Sequence, residues 1–151
     1  MVADMVQEAV QTLHIVQEIE IAAPVGVAFE ALLEQLGPAS EMPDGTPFPM
    51  KIEPWPGGRW YRDLGDRVGH FWAHVQVIKP PALLELYGPL FMSYPAVNFV
   101  QYRLVASGSG TRLKLTHRAM GLILREHSEG VSEGWSFGLR RIREAAERRA
   151  R

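Results

Sequence analysis

The chain contains no cysteine, which rules out disulfides, thiolate zinc sites and cysteine nucleophiles and suits a reducing cytoplasm. Long apolar runs are missing too. The opening MVADMVQEAVQTLH carries Asp4 and Glu8 where a signal peptide needs a basic start and an apolar stretch. Neither a membrane-inserted helix nor a signal peptide is expected, and the expected location is cytoplasmic. Excess charge of one sign is also lacking: 16 basic and 17 acidic side chains leave a formal charge of -1. Nothing in that total favours a polyanion. The arginine-rich residues 140–151 are interrupted by Glu144 and Glu147 and read as a solvated helix face, so no nucleic-acid partner is expected. Paired carboxylates, a nucleophile elbow, a phosphate loop and a metal cluster are all absent. Glu53, Asp63, Asp66 and Glu85 fall at strand ends or on outward parities. No cofactor and no metal are expected.

What the chain does have is globular composition, 46% hydrophobic and 22% charged over 151 residues, the size of one ordinary domain. Residues 1–11 show no clear pattern and are read as an N-terminal arm or a short helix; residues 12–151 are read as one domain. From Leu13 to Ile21 alternate residues are apolar, with Gln17 and Val16 out of place, which is the period of a half-buried strand. After Ala23-Pro24, the apolar residues Val25, Ala28, Phe29, Leu32, Leu33 and Leu36 recur at helical spacing, and Gly37-Pro38 stops the helix.

Residues 37–49 hold four prolines and two glycines and suit a surface loop, a candidate lid. A short strand over 50–53 leads to Gly57-Gly58, a turn in which both residues tolerate positive φ. Strands follow over 59–64 and 68–79, and the double proline Pro80-Pro81 breaks the ladder. Further strands cover 83–87, 98–106 and 111–118. A helix from about Ser128 places Val131, Trp135, Leu139, Ile142 and Ala146 on one side. Strand, helix, about six strands and a long helix make an α+β domain with helices on one face of an antiparallel sheet.

Five stretches in this order carry a resemblance: IAAPVGVAFEALLE, EPWPGGRW, GHFWAHVQVIKPPALLEL, GTRLKLTHRAMG and EGWSFGLRRIREAAE. Together they resemble the SRPBCC superfamily of START-like, Bet v-like helix-grip domains. The similar subgroup is the one related to the activator of the heat-shock-protein-90 ATPase. The resemblance implies a curved antiparallel sheet wrapped around the C-terminal helix, with an apolar cavity between them. Members bind lipids, hormones and polyketides, and some are cyclases or dehydratases. The co-chaperone activity behind the subgroup's name is not carried over, because no second domain for chaperone docking is legible.

Parity assigns residues to the cavity. On the long strand Phe71, Ala73, Val75 and Val77 are uniformly apolar and are expected to face the helix, leaving His70, Trp72 and His74 outside. His70 and His74, roughly 13 Å apart along a strand, are too distant to share a metal ion. His117 shares parity with Leu113 and Leu115 and is read either as a satisfied core histidine or as a polar anchor or general base. Gly130, Gly134 and Gly138 each cost about 1 kcal/mol relative to alanine inside a helix. Two readings stay open for them: close packing against the sheet or a neighbouring subunit, or a stripe kept bare for a ligand.

Within the implied helix-grip fold the cavity wall is expected to comprise Trp60, Phe71, Ala73, Phe91, Tyr102, Leu104, Leu115, His117, Gly134 and Trp135. Tyr102 and Trp60 would each offer one hydrogen-bonding edge, and His117, Tyr102 or Arg62 would orient the guest. The leading expectation is non-catalytic binding of a small hydrophobic molecule. A cyclase, dehydratase or hydrolase using His117 as acid or base is the competing class, and an interaction protein with a filled cavity is the third. Scattered apolar surface, particularly an outward Trp72, raises a homodimer as a further expectation.

Overall fold

A computed structural model describes residues 6–151. Residues 1–5 of the expected arm lie outside the described residues; residues 6–10 are exposed and irregular, and Gln11 already belongs to the first strand. The elements are β1 (Gln11–Ile21), α1 (Val25–Leu36), β2 (Lys51–Ile52), β3 (Arg59–Asp63), β4 (Gly69–Lys79), β5 (Leu83–Gly88), β6 (Ala96–Ser107), β7 (Gly110–Gly121) and α2 (Arg125–Arg149). The strands form one antiparallel seven-stranded sheet in the order β1-β7-β6-β5-β4-β3-β2. The sheet is curved and open, and the long helix α2 lies in its grip, so the fold is α+β helix-grip. Residues β2 to β7 run as a meander, and β1 closes the order by pairing with β7 along its whole length.

The core sits where the sequence pattern puts it. Leu84, Leu86, Val100, Leu113 and Leu115 from the sheet meet Ala28, Phe29, Ala31, Leu32 and Leu36 from α1. Full burial of each larger apolar side chain stabilises by about 1.5–3 kcal/mol. Gln17, the polar residue on the inward parity of β1, has a specific task. Its amide nitrogen donates to the Ser132 carbonyl at 2.8 Å, and its amide oxygen accepts from the Ser136 hydroxyl at 3.0 Å. This side chain ties α2 to β1.

Period-two counting fails on β4. Trp60 pairs with Ala73 and Tyr61 with Phe71, so Trp72 is an extra residue without a partner on β3. Such a bulge puts two residues opposite one and reverses the inward parity at that point. Upstream of it His70 and Trp72 therefore turn inward; downstream Ala73 and Val75 do. The carbonyl of Trp72 accepts from the Leu90 N–H at 2.8 Å. Gly88 is needed at this crossing, because a Cβ there would lie 2.4 Å from the same carbonyl oxygen. The sequence therefore encodes the bulge across two strands, which a single-strand parity count misses.

The Gly57-Gly58 turn also differs in detail from the expectation. Only Gly57 takes a positive φ, of 84°. Gly58 is required for space, since a Cβ would sit 2.0 Å from the Glu53 carbonyl oxygen. The turn brings Gly57 N–H to the Val75 carbonyl and Val75 N–H to the Gly58 carbonyl, both at 2.8 Å. Through these bonds it caps the bulged strand pair that carries Trp60 and Trp72.

Candidate binding cavity

Between the sheet and the first half of α2 lies a cavity of about 520 Å³. That volume is within the usual range for a small-molecule site. Trp60, Trp72 and Tyr102 project into it from β3, β4 and β6. Phe91 walls it from the β5–β6 connection, and Ser40, Glu41, Met42, Pro43 and Phe48 reach it from the proline-rich loop 37–49. The roof is α2, where Gly130, Gly134 and Gly138 lie on one face with Trp135 beside them.

The helical glycines resolve the two readings left open for them within this chain. A Cβ built on Gly130, Gly134 or Gly138 meets no atom within 4 Å. Close packing against the sheet is therefore not what they serve. Three missing side chains at four-residue intervals leave one helix face as bare backbone at the border of the cavity, with Gly130 and Gly134 exposed.

The wall is chiefly aromatic, and its rings meet edge to face. Trp60 and Trp72 lie 5.0 Å apart at 75°, and Phe91 meets Trp72 at 5.9 Å. The indole N–H groups are spoken for. Trp60 Nε1 donates to the Leu36 carbonyl at 2.7 Å, Trp135 Nε1 to His117 Nδ1 at 2.9 Å, and Trp72 Nε1 to His70 Nδ1 at 3.3 Å. These bonds fix the rings and leave their carbon faces to the cavity. Among the described residues Tyr102 differs: its side chain lines the cavity at 2% exposure, and its hydroxyl makes no side-chain hydrogen bond to the protein. Burial alone pushes the phenol above its ordinary range, so it stays a neutral donor.

Of the ten residues expected in the wall, Trp60, Phe91, Tyr102, Gly134 and Trp135 border the cavity. Ala73, Leu104 and Leu115 are buried in the packed layer and do not border it. Phe71 is a correction. It is 36% exposed on the outer face, 4.7 Å from the His74 ring, because the bulge at Trp72 reverses the parity. Trp72 is the inverse correction, an inward residue expected outside. Trp72 thereby drops out of the apolar surface behind the homodimer expectation, while Phe71, Val97, Val105 and Met120 remain exposed. His70 likewise moves inward, whereas His74 stays outside and meets the Gly57 carbonyl at 3.0 Å.

His117 is placed inward, as parity predicts, but not in the cavity. It is fully buried behind Trp135 with both ring nitrogens engaged. Nδ1 accepts from the Trp135 indole, so Nε2 carries the hydrogen and donates to Asn98 Oδ1 at 2.7 Å. The Asn98 amide nitrogen in turn donates to the carbonyls of Gly88 and Pro89. Burial lowers the imidazole to a pKa of about 4. With no lone pair open to a guest, His117 positions Trp135, and the geometry gives no support to it as a general base. Arg62 is also outside the wall: its guanidinium lies over the Phe48 ring at 3.7 Å, behind the cavity.

The polar groups at the rim were not singled out from sequence. Arg141 pairs with Glu41 of the 37–49 loop at 2.7 Å, and His127 Nδ1 shares a 2.5 Å hydrogen bond with the Tyr94 hydroxyl. A signal for His127 exists: positions 127, 130, 131, 134, 138 and 141 fall on one helix face. Starting α2 at Ser128 instead of Arg125 hides its first member. Among the described residues no group of three or more His, Asp or Glu could hold a metal ion, and no helix is long and apolar enough to cross a membrane.

A scan against protein-family models finds no match, and a search of curated proteins finds none either. Solved structures do match. An uncharacterised protein from Rhizobium leguminosarum superposes with a TM-score of 0.75 at 19% identity, over 95% of this chain and 99% of its own. CalU16 from Micromonospora echinospora gives 0.63 at 19% identity, over 93% and 85% of the two chains. DynU16, from the dynemicin biosynthetic locus, gives 0.63 at 15% identity, over 90% of this chain and 47% of its own. At these identities the likeness shows a shared fold.

Proposed function

We propose that this chain binds a small, largely apolar molecule between its sheet and α2, as an SRPBCC-type binding module. The observation that carries the reading is the cavity roofed by three glycines whose side-chain space opens onto aromatic walls. A helix interior that accepts about 1 kcal/mol per glycine, where no neighbour demands it, is shaped for a guest. The structural neighbour DynU16, a putative protein in the dynemicin biosynthetic locus, supports a small-molecule ligand. Binding free energy would come mainly from apolar burial. Native mass spectrometry of the purified protein, followed by a thermal-shift screen of lipophilic metabolites, tests this. A co-purifying mass or a stabilising compound is expected; an empty protein that no lipophile stabilises refutes it.

A catalytic reading has one observation in its favour, and it is not His117. His127 borders the cavity with its Nδ1 hydrogen-bonded to the Tyr94 hydroxyl, so acid–base chemistry on a bound guest would fall to that pair. Conversion of a bound compound by the wild type and not by His127→Asn, followed by mass spectrometry, would establish it.

A further inference from the structure

The chemistry of the cavity wall narrows the guest, on the reading that the cavity is a binding site. Three indole N–H groups around it are committed to protein acceptors, so the aromatic wall offers a ligand carbon surface. Tyr102 breaks that rule. Its ring is 2% exposed in the middle of the sheet, paired in register with Leu84 and Leu115, and its hydroxyl opens to the cavity without a protein partner. In an apolar cavity, a ligand oxygen that takes this hydroxyl's hydrogen bond in place of water contributes about 0.5–1.5 kcal/mol.

The rim indicates which oxygen. Glu41 and Glu126 both border the cavity, and the charge of its one guanidinium, Arg141, is offset by Glu41 at 2.7 Å and Glu144 at 3.5 Å, while its Nε is buried without a partner. A carboxylate guest would either meet Arg141 Nε as a further negative charge beside Glu41 and Glu144 or enter an apolar interior uncompensated, and either is costly. A neutral carbonyl meets neither obstacle. The edge-to-face rings Trp60, Trp72 and Phe91 suit a flat aromatic frame, whose faces and edges can continue the same packing.

We propose that the cavity selects neutral, planar aromatic compounds bearing a carbonyl that accepts a hydrogen bond from Tyr102, and that Tyr102 sets this preference. Three probes of one ring frame test it: fluorene, 9-fluorenone and 9-fluorenone-4-carboxylate, with affinity read from quenching of the cavity tryptophans. Fluorenone is expected to bind about tenfold more tightly than fluorene, the equivalent of one recovered hydrogen bond. The carboxylate should bind more weakly than fluorenone. Tyr102→Phe should bring fluorenone down to the affinity of fluorene and leave fluorene unchanged. Equal wild-type affinities for fluorene and fluorenone, or a preference that survives Tyr102→Phe, overturn the assignment of Tyr102 while leaving the cavity as a binding site. Tightest binding of the carboxylate overturns the neutral-guest inference. If none of the three binds and no lipophile stabilises the protein, the binding reading itself falls. Should Tyr102→Phe fail to fold, the infrared carbonyl stretch of fluorenone bound to the wild type decides. A shift to lower frequency than in alkane supports the hydrogen bond, and an alkane-like frequency refutes it.

Discussion

Toward the C-terminal end of α2, Leu139, Ala145 and Ala146 are buried where the helix meets α1 and the sheet; toward its start, Gly130, Gly134 and Gly138 face a cavity that reaches as far as Ile142. Both halves use small residues, for opposite reasons. Ala145 and Ala146 are small because neighbours press on them, and alanine keeps full helix propensity while allowing it. The glycines have no neighbour within 4 Å of a would-be Cβ. One continuous helix thus anchors the fold at one end and shapes the site at the other, so stability and binding are separable along it.

The largest test of that separation pairs a substitution from each half. Leu139→Ala should destabilise the fold by about 2–5 kcal/mol in urea melts, from lost burial and a residual void. Gly134→Leu, which fills the cavity from the open half, should leave unfolding free energy intact or raised and abolish fluorenone binding. Equal destabilisation by both would mean that the first half is packed after all.

His117 joins the halves to the sheet, and its titration gives the next effect. Its folded pKa is about 4 against an ordinary 6.5, so the native state favours the neutral ring. The unfolded chain therefore binds the proton more readily, and stability is complete above pH 6.5 and falls as pH drops toward 4. The loss across that window is about 3 kcal/mol. Glu53, lowered from 4.5 to about 2 by its hydrogen bonds from Arg59, acts mainly below the window, so the two are distinguishable. Urea melts at neutral pH and near the lower bound should show the drop in the wild type, and His117→Gln should flatten it. Protonation also breaks the bond from Trp135 to Nδ1, so fluorenone affinity should weaken over the same range.

The order of elements was legible in sequence because burial patterns repeat within each element: the period two of β1 and the spacing of Ala28, Phe29, Leu32 and Leu36 on α1 each report a local face. What the sequence hid is non-local. Trp72 turns inward because Gly88 and Leu90, on another segment, accommodate its bulge. His117 loses its chemistry because Trp135 and Asn98 take its nitrogens. Arg141 and Glu41, 100 residues apart, meet only in the fold. Five of the ten residues expected in the wall border the cavity, and the other placements trace to one bulge, one hydrogen-bond relay and the depth of the core.

The junction between loop 37–49 and α2 should affect rates more than stability. Glu41→Gln removes the ion pair with Arg141, a partly exposed contact worth about 1 kcal/mol or less. If the loop admits the guest, stopped-flow quenching with fluorenone should show association and dissociation both accelerated, with Kd little changed. Unchanged rates would make the loop a fixed wall and confine the adaptable part of the site to α2.

The smallest effect discriminates most finely between the two halves. Gly130→Ala adds a methyl group where nothing lies within 4 Å, so the gain in helix propensity should appear almost undiluted, raising stability by about 0.5–1 kcal/mol. Ala146→Gly makes the reverse change in the packed half. It should lower stability by at least the same amount, because it loses buried contacts as well as propensity. Opposite signs from mirror-image substitutions on one helix are what an open half and a packed half require. A destabilising Gly130→Ala would show that backbone, and not a guest, occupies the space beneath the first turns of α2.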